Sequence, residues 1–273
     1  MAKISKLDAR LRVKPGKEFS LSDVDPRDVD FLGEEKEVRE QFAEDVSAID
    51  KLQNLLYADG RKSLLVVLQG TDTSGKDGTI RGVFTAASPL GMTVTAFKKP
   101  NEIELAHDFL WRVHLACPRH GFIALFNRSH YEDVLVAKVR RIVSKDVIEQ
   151  RYEQINTFEK LLTDTGTTVL KFMLHISKKE QGERLQERLD DPTKNWKFNA
   201  DDLEDRKLWN EFQNAYETML MRCSTDHAPW HVVPADRKWA RNAIIAATVR
   251  NTLENMDLSF PKMPWKPSRF TIR

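Results

Sequence analysis

The 273-residue chain balances 43 Lys and Arg against 41 Asp and Glu, which leaves a formal net charge of +2. This balance excludes a global electrostatic drive toward nucleic acid or an anionic membrane, so any anion site must come from local clustering. No apolar run approaches the roughly 20 residues of a membrane span, and the first residues lack the apolar segment of a signal peptide. The two cysteines, Cys117 and Cys223, show no CxxC spacing. We therefore expect reduced thiols in a cytoplasmic protein, without nucleic-acid or membrane partners.

Strand and helix patterns alternate along the chain. Residues 1–33 are polar, contain Pro15 and Pro26, and predict an extended arm over the surface. Apolar runs predict five strands, at 64–69, 92–97, 121–126, 168–176 and 230–233. Helical spacing of apolar residues predicts helices near 34–58, 76–87, 101–115, 131–143, 146–162, 180–189, 201–221 and 239–256, followed by a Pro-rich tail at 257–273. The alternation predicts one α/β domain with a mostly parallel sheet and right-handed crossovers. The first helix is predicted to pack either on this domain or on a second subunit.

The first predicted strand leads into Gly70-x-x-x-x-Gly75-Lys76, a spacing that fits a phosphate-cradling loop. Glycines let backbone N–H groups close on phosphate oxygens, the following helix favours anions, and the lysine supplies a cation. Asp77 stands directly after the lysine, where such loops usually carry Ser or Thr. Because carboxylates repel phosphates unless a cation lies between them, we interpret Asp72 and Asp77 as linked to a metal ion. The alternative is an ordinary strand–turn–helix connection with solvated aspartates.

A second polar stretch, Asn127 to Asp133, follows the third predicted strand, where open α/β sheets place their sites. Glu132 and Asp133 are the nearest carboxylates for a magnesium ion, and Arg128 can fork onto a phosphate. The alternative is that both acids only favour the positive end of the next helix. His130 is interpreted as a base or, preferably, as a hydrogen-bonded structural group.

A third stretch, about 178–200, is predicted to be a helical lid. Arg184 and Arg188 are four residues apart and therefore share one helix face, and Lys194 and Lys197 follow in an irregular segment. Lids of this kind bring cations onto a transferring phosphoryl group and exclude water. The alternative is a solvated face paired with neighbouring glutamates. Four tryptophans are interpreted as packing residues, with stacking of one of them on a base as the alternative: Trp111, Trp196, Trp230 and Trp239.

Together these residues closely resemble the polyphosphate kinase 2 family. The matching stretches are Leu68–Thr79, Ala106–Arg112, Phe126–Val134, Trp196–Phe198 and Pro234–Trp239. The aspartate at Asp77 follows the family pattern. The Phe126–Asp133 stretch resembles the class III subgroup, which accepts both nucleoside monophosphates and diphosphates.

The resemblance implies a fold, an oligomeric state and a set of residue roles. It implies a three-layer α/β/α sandwich of the P-loop kinase type, similar to thymidylate kinase, in a homodimer or homotetramer. The implied catalytic residues are Asp72, Lys76, Arg128, Asp133 and Arg184, with Asp72 and Asp133 as metal ligands. The implied phosphate-binding residues are Gly70, Thr71, Thr73, Ser74, Gly75, Lys76, Asp77, Arg188 and Lys194. The implied nucleotide-binding residues are Asn127, Arg128 and Glu132.

The resemblance also implies a reaction. It is the reversible, Mg²⁺-dependent transfer of a phosphoryl group from inorganic polyphosphate to ADP and AMP, with Mn²⁺ as an alternative metal and guanine nucleotides as further substrates. An ATP-dependent nucleotide or small-metabolite kinase and a non-catalytic phosphate-binding module are the competing interpretations. The density of Asp72, Lys76, Arg128 and Asp133 disfavours the second, because anion binding alone does not need so many carboxylates.

Overall fold

The computed structural model describes residue 7 and residues 9–272, and its sheet contains five strands in the order β2-β3-β1-β4-β5. The strands are β1 Ser63–Gln69, β2 Met92–Ala96, β3 Ile123–Asn127, β4 Thr167–His175 and β5 Trp230–Pro234. Every neighbouring pair is parallel. Parallel strands put their carboxyl ends at one edge of the sheet, so the segments after β1 and β3 meet there.

Ten α-helices lie within residues 35–254. They are α1 Glu35–Asp59, α2 Lys76–Val83, α3 Glu102–Leu105, α4 Trp111–Ala116, α5 Glu132–Val139, α6 Lys145–Asp164, α7 Lys178–Asp190, α8 Asp201–Lys207, α9 Trp209–Cys223 and α10 Lys238–Glu254. None of these helices is long and apolar enough to cross a membrane.

The helices form two layers, one on each face of the sheet. Along the central strand β1, Leu65 and Val67 pack into a core built with α5, α6 and α9. Leu64, Val66 and Leu68 pack into a second core built with α1, α2 and α10. Because successive strand residues point to opposite faces, a run that is apolar throughout is the pattern expected between two layers. The predicted α/β/α sandwich is therefore confirmed.

Helix α1 packs along α10 within the same subunit. Ile49 and Leu56 of α1 are fully buried in the core that they share with α10. An ion pair of 2.9 Å between Asp45 and Arg250 links the two helices. The sequence left open whether the apolar face of this helix packs on the domain or on a second subunit. In the structure it packs on α10 of the same chain.

Two predicted helices differ from the structure. The helix predicted over 101–115 is divided into α3, which ends at Leu105, and α4, which begins at Trp111; in the turn between them Asp108 accepts a hydrogen bond of 2.9 Å from the Leu110 backbone. Leu105 and Leu115 are 67% and 70% exposed, so the apolar face predicted for a single helix was wrong. The helix predicted over 201–221 is divided at Leu208, whose backbone leaves the helical region with ψ of 28°.

The predicted N-terminal arm joins the core. Leu11, Val13 and Leu21 are buried. The Val13 N–H donates to the Trp230 carbonyl at 2.8 Å, beside an antiparallel bridge between Arg12 and His231. The arm therefore lies along the outer edge of β5 and shields an edge that would otherwise present unpaired backbone groups.

Candidate active site

The loop after β1 takes a tight course that its residues permit. Gly70 and Gly75 have φ of 148° and 101°, and Thr73 has φ of 64°. A Cβ on Gly70 would lie 2.7 Å from the Leu174 carbonyl oxygen, so only glycine fits between β1 and β4. Helix α2 then begins at Lys76, with its free N–H groups at the loop.

The Lys76 side chain lies across this loop. Its Nζ donates to the carbonyls of Gly70 and Thr71 at 2.7 and 3.1 Å, and lies 3.3 Å from the Ser74 hydroxyl. Burial, assisted by the nearby Arg128 charge, lowers the pKa of Lys76 to about 8. An additional anion at the loop would favour its protonated form. This is the electrostatic setting of a phosphate site.

The segment after β3 brings Arg128 to the loop. Arg128 has a left-handed backbone, with φ of 59°, and its N–H donates to the Leu68 carbonyl at 3.0 Å. Its guanidinium contacts Asp72 at 2.5 Å and Glu132 at 3.9 Å. Burial acts to lower the pKa of Arg128, but Glu132 and Asp72 outweigh burial and raise it. The structure thus gathers Asp72, Lys76, Arg128 and Glu132, which were predicted from separate stretches.

Two further predicted residues meet at the start of α2. The Asn127 side-chain amide donates to the Asp77 carboxylate. This contact joins the end of β3 to the first turn of the loop helix, so the carboxylate in the usual Ser or Thr position is held toward the β3 side of the site.

Asp133 belongs to a different charge cluster. Its carboxylate lies 3.8 Å from Arg112 and 3.9 Å from Arg151, and its backbone carbonyl accepts from Arg151 at 2.8 Å. Burial raises the pKa of Asp133, and the two arginines oppose this rise. Asp72 and Asp133 thus contact different arginines, and Asp133 Oδ2 is buried without a hydrogen-bond partner. Their role as metal ligands stays a prediction.

The predicted lid residue Arg184 faces the back of the loop. Its guanidinium donates to the carbonyls of Thr73 and Ala235 at 2.9 and 2.8 Å, and its Nε donates to Glu180 at 2.8 Å. With its donors engaged by backbone and by Glu180, Arg184 fastens the loop and does not extend over it. These contacts differ from the cation over the site that was expected of a lid, and the catalytic role of Arg184 stays a prediction.

The other basic residues of the predicted lid form local ion pairs. Arg188 contacts Asp202 at 3.0 Å. Lys194 contacts Glu187 and Asp191 at 2.7 and 2.9 Å. These contacts match the alternative in which neighbouring acids pair with the basic residues.

An aromatic wall closes one side of the site. Trp209, Phe212 and Tyr216 follow one face of α9 at helical spacing and line a pocket beside Asp72 and Arg128. Further lining residues are Gly70, Thr71, Glu132, Leu135, Val136, Gln181 and Asp205. Sequence reasoning missed Trp209. Its spacing of three and seven residues from Phe212 and Tyr216 was the available signal.

A buried polar network supports the segment after β3. Lys171 of β4 donates to Glu159 at 2.5 Å, to the Tyr131 hydroxyl at 2.8 Å and to the Cys223 carbonyl at 2.8 Å. Tyr131 donates to Glu159 at 2.7 Å, and a His130 ring nitrogen lies 3.3 Å from the same carboxylate. His130 is fully buried, which favours the structural interpretation over a catalytic base. Lys171 and Glu159 were not predicted as site residues.

The side chains of this site fit a magnesium ion that binds together with the substrate phosphates. In the described part of the chain, no three His, Cys, Asp or Glu side chains are grouped closely enough to hold a metal by themselves. Mg²⁺ usually takes one or two protein carboxylates, with substrate phosphates and water completing its shell. Asp72, Asp77, Glu132 and Asp133 are the candidate carboxylates. The hydroxyls of Thr71 and Thr73 are buried without hydrogen-bond partners, so the loop has polar capacity to spare for ligands.

These features define a class of enzyme. A parallel sheet with a glycine-rich loop after its central strand, a lysine across that loop and an arginine opposite it is the arrangement of P-loop enzymes that transfer phosphoryl groups.

Comparison with known proteins narrows this class. A family model described as polyphosphate kinase 2 matches residues 32–261. The chain is 49% identical over 254 residues to the AMP/ADP-polyphosphate phosphotransferase of Meiothermus ruber, covering 93% of this chain and 95% of that relative. It is 40% identical over 250 residues to the ADP-polyphosphate phosphotransferase of Rhodopseudomonas palustris, covering 87% and 86%.

A solved structure agrees. The crystal structure of polyphosphate kinase 2 from Arthrobacter aurescens TC1 matches with a TM-score of 0.92 at 40% identity, covering 96% of this chain and 94% of that one. The chain belongs to the polyphosphate kinase 2 family, and it is an enzyme. The resemblance noted in the sequence is confirmed.

Proposed function

We propose that this enzyme transfers phosphoryl groups between inorganic polyphosphate and adenine nucleotides, forming ATP from ADP and ADP from AMP. The observation that carries the proposal is the meeting of Lys76 and Arg128 beside a pocket with an aromatic wall. Two anions must approach each other there, and an apolar ring must be accommodated beside them. The names of the relatives from Meiothermus ruber and Rhodopseudomonas palustris support polyphosphate as donor and AMP or ADP as acceptor.

The chain's own residues divide the work between binding and orientation. Backbone N–H groups at the start of α2 and the Lys76 ammonium hold phosphate oxygens. Arg128 forks onto the acceptor phosphate after exchanging its contact with Asp72 for the ligand. Glu132 and Asn127 orient Arg128 and Asp77. A bound Mg²⁺ or Mn²⁺ would supply charge neutralisation of neighbouring phosphate oxygens, with Asp72 and Glu132 as its protein donors.

The aromatic wall is proposed to hold the nucleobase. Trp209 and Phe212 line the pocket with flat aromatic surface, and every base has a face that stacks on such rings. Guanine nucleotides are further candidate acceptors, because stacking discriminates weakly between bases.

A nucleotide-formation assay tests the proposal. Purified enzyme, Mg²⁺ and long-chain polyphosphate are incubated with AMP or with ADP, and products are separated by chromatography. ADP and ATP are expected from AMP, and ATP from ADP. The Lys76→Met variant is expected to form neither. Lys160→Met serves as the matched control, because Lys160 is exposed on α6 and its ion pair is with the exposed Asp164.

The outcomes separate the alternatives. Product that forms only when ATP replaces polyphosphate would point to an ordinary nucleotide kinase and overturn the proposal. Product from ADP alone would keep the donor and remove the monophosphate as acceptor.

We also infer a cytoplasmic homodimer or homotetramer. Two free cysteines and nucleotide substrates support the location. Exposed Val94 on the outer strand β2 and exposed Leu90 just before it support a further subunit contact. Light scattering on the purified enzyme measures the oligomeric state.

A further inference from the structure

Two buried arginines lie behind the phosphate loop. Arg241 of α10 is 2% exposed, and Arg184 of α7 is 6% exposed. Both donate to the Ser74 carbonyl at 3.2 Å. In a trans peptide the following N–H points away from the carbonyl. The Gly75 N–H is therefore directed away from the two arginines.

The two arginines differ in how their charge is balanced. Arg184 has a carboxylate partner, Glu180, at 2.8 Å. The remaining hydrogen bonds of Arg241 go to the neutral side chain of Asn242, at 3.1 and 2.9 Å. In the part of the chain that the structure describes, no carboxylate forms an ion pair with Arg241, and burial together with the Arg184 charge lowers its pKa to about 10.

A buried charge without a counter-charge destabilises the free enzyme. The hydrogen bond to Ser74 does not require this charge, because a neutral donor could make it. The position of the charge suggests what balances it. A Cβ on Gly75 would lie only 1.9 Å from an Arg241 guanidinium nitrogen, and one on Gly78 would lie 3.3 Å from another. The guanidinium thus lies against the first turn of α2, where the helix end is also positive. Lys76, the helix end and Arg241 all favour an anion at the same place.

We propose that Arg241 is a positioning residue of the phosphate loop whose charge is balanced only when a phosphate chain is bound. This inference rests on the proposed function, because it takes the loop as the phosphate site. Arg241 fixes the Ser74 carbonyl toward the back of the loop, and its charge strengthens phosphate binding without contact with the ligand. Part of the energy of phosphate binding then comes from relief of an electrostatic cost in the free enzyme.

Binding of inorganic tripolyphosphate, measured by calorimetry and by thermal unfolding at pH 7, tests this proposal. Arg241→Gln removes the charge but keeps a donor for Ser74, and Arg241→Met is a second neutral variant. Arg241→Lys keeps the charge. Arg250→Gln is the matched control, because Arg250 lies on the same helix and is balanced by Asp45 and Glu254 at 2.9 and 2.8 Å.

The charge of Arg241 predicts a specific order of tripolyphosphate affinities among these variants. A unit charge about 10 Å from a bound phosphate, at an effective dielectric constant of about 20, changes affinity roughly tenfold. Arg241→Gln should therefore bind tripolyphosphate about tenfold more weakly, with a smaller ligand-induced rise in Tm and a weaker salt dependence. Arg241→Lys should recover most of the affinity, and Arg250→Gln should match wild type. In turnover assays Arg241→Gln should raise KM for polyphosphate more than it lowers kcat.

Two results would overturn the inference in distinguishable ways. If wild type and both neutral variants bind tripolyphosphate equally, Arg241 is a purely structural group, while the proposed function stands. If wild type itself does not bind tripolyphosphate, the polyphosphate donor of the proposed function fails, and the inference fails with it.

Discussion

The buried pair of Lys171 and Glu159 permits a test of how the segment after β3 is held in place. Both side chains are fully buried and are joined by a 2.5 Å contact. Lys171→Met leaves the Glu159 carboxylate buried with Tyr131 and His130 but without its cation. Removing one partner of such a pair usually costs about 3–5 kcal/mol of folding free energy. At roughly 2–4 °C per kcal/mol, Tm should fall by about 6–20 °C.

The double variant Glu159→Leu/Lys171→Met separates a charge effect from lost packing. It removes both charges, so it should recover at least half of the stability lost in Lys171→Met alone, leaving the unpaired Tyr131 hydroxyl as the main residual cost, about 1–3 kcal/mol. Urea unfolding followed by circular dichroism measures all three proteins. A loss of less than about 1 kcal/mol in Lys171→Met, or a double variant no more stable than Lys171→Met, would show that the unpaired Glu159 charge is not what destabilises the single variant.

The same pair predicts a pH dependence. Burial pushes the pKa of Glu159 upward, but Lys171 and His130 outweigh burial and hold it below 4.5 in the wild type. A depressed carboxylate pKa adds stability that is present above pH 4.5 and is lost as pH falls through the folded-state value. Without Lys171, burial should raise the pKa above 4.5. The stability difference between the variant and wild type should therefore be larger at pH 7 than at pH 5.

Three further predictions concern the loop and its pocket. The pKa of Lys76 is lowered from 10.5 to about 8, so between these pH values the unfolded state binds more protons than the folded state. The folding stability of the free enzyme should therefore rise from pH 8 toward 10.5, while its affinity for tripolyphosphate falls. If calorimetry shows stability and affinity changing in the same direction, the assignment to Lys76 is wrong. Gly75→Ala should lose nearly all transfer activity, because its Cβ would lie 1.9 Å from Arg241 and φ is 101°; activity near wild type would show that the loop is not held as described. Trp209→Ala should raise KM for ADP at least several-fold, through loss of about 1–3 kcal/mol of stacking, and should leave KM for polyphosphate unchanged; an equal change in both would remove Trp209 from the nucleobase site.

The parts of the fold that sequence predicted well are those fixed by local pattern. β1 and β4 were found because apolar and β-branched runs at these positions suit strands buried on both faces. The phosphate loop was found because glycine spacing and a lysine have few other uses together. Asp72 and Arg128 were predicted from separate stretches, and the structure joins them because β1 and β3 are neighbours that end at one edge.

The parts that sequence missed depend on contacts between distant residues. Arg184 and Arg241 reach the Ser74 carbonyl across 110 and 167 residues of chain, and no spacing rule connects a side chain to one particular carbonyl. Arg184 was therefore assigned to a lid because its charge was visible and its partner was not. Lys171 was passed over because it lies within an otherwise apolar strand, where only the tertiary structure supplies Glu159.

The position of the N-terminal arm on β5 has a consequence for synthesis. Val13 is made early, but its partner Trp230 lies in the last strand of the sheet. At about 5–20 residues per second, a ribosome needs roughly 10–40 s to add the intervening 200 or so residues. During that time Val13 lacks the backbone partner that it has in the folded protein. The arm can therefore take its place along β5 only when the chain is nearly complete, so the covering of this sheet edge is a late step of folding.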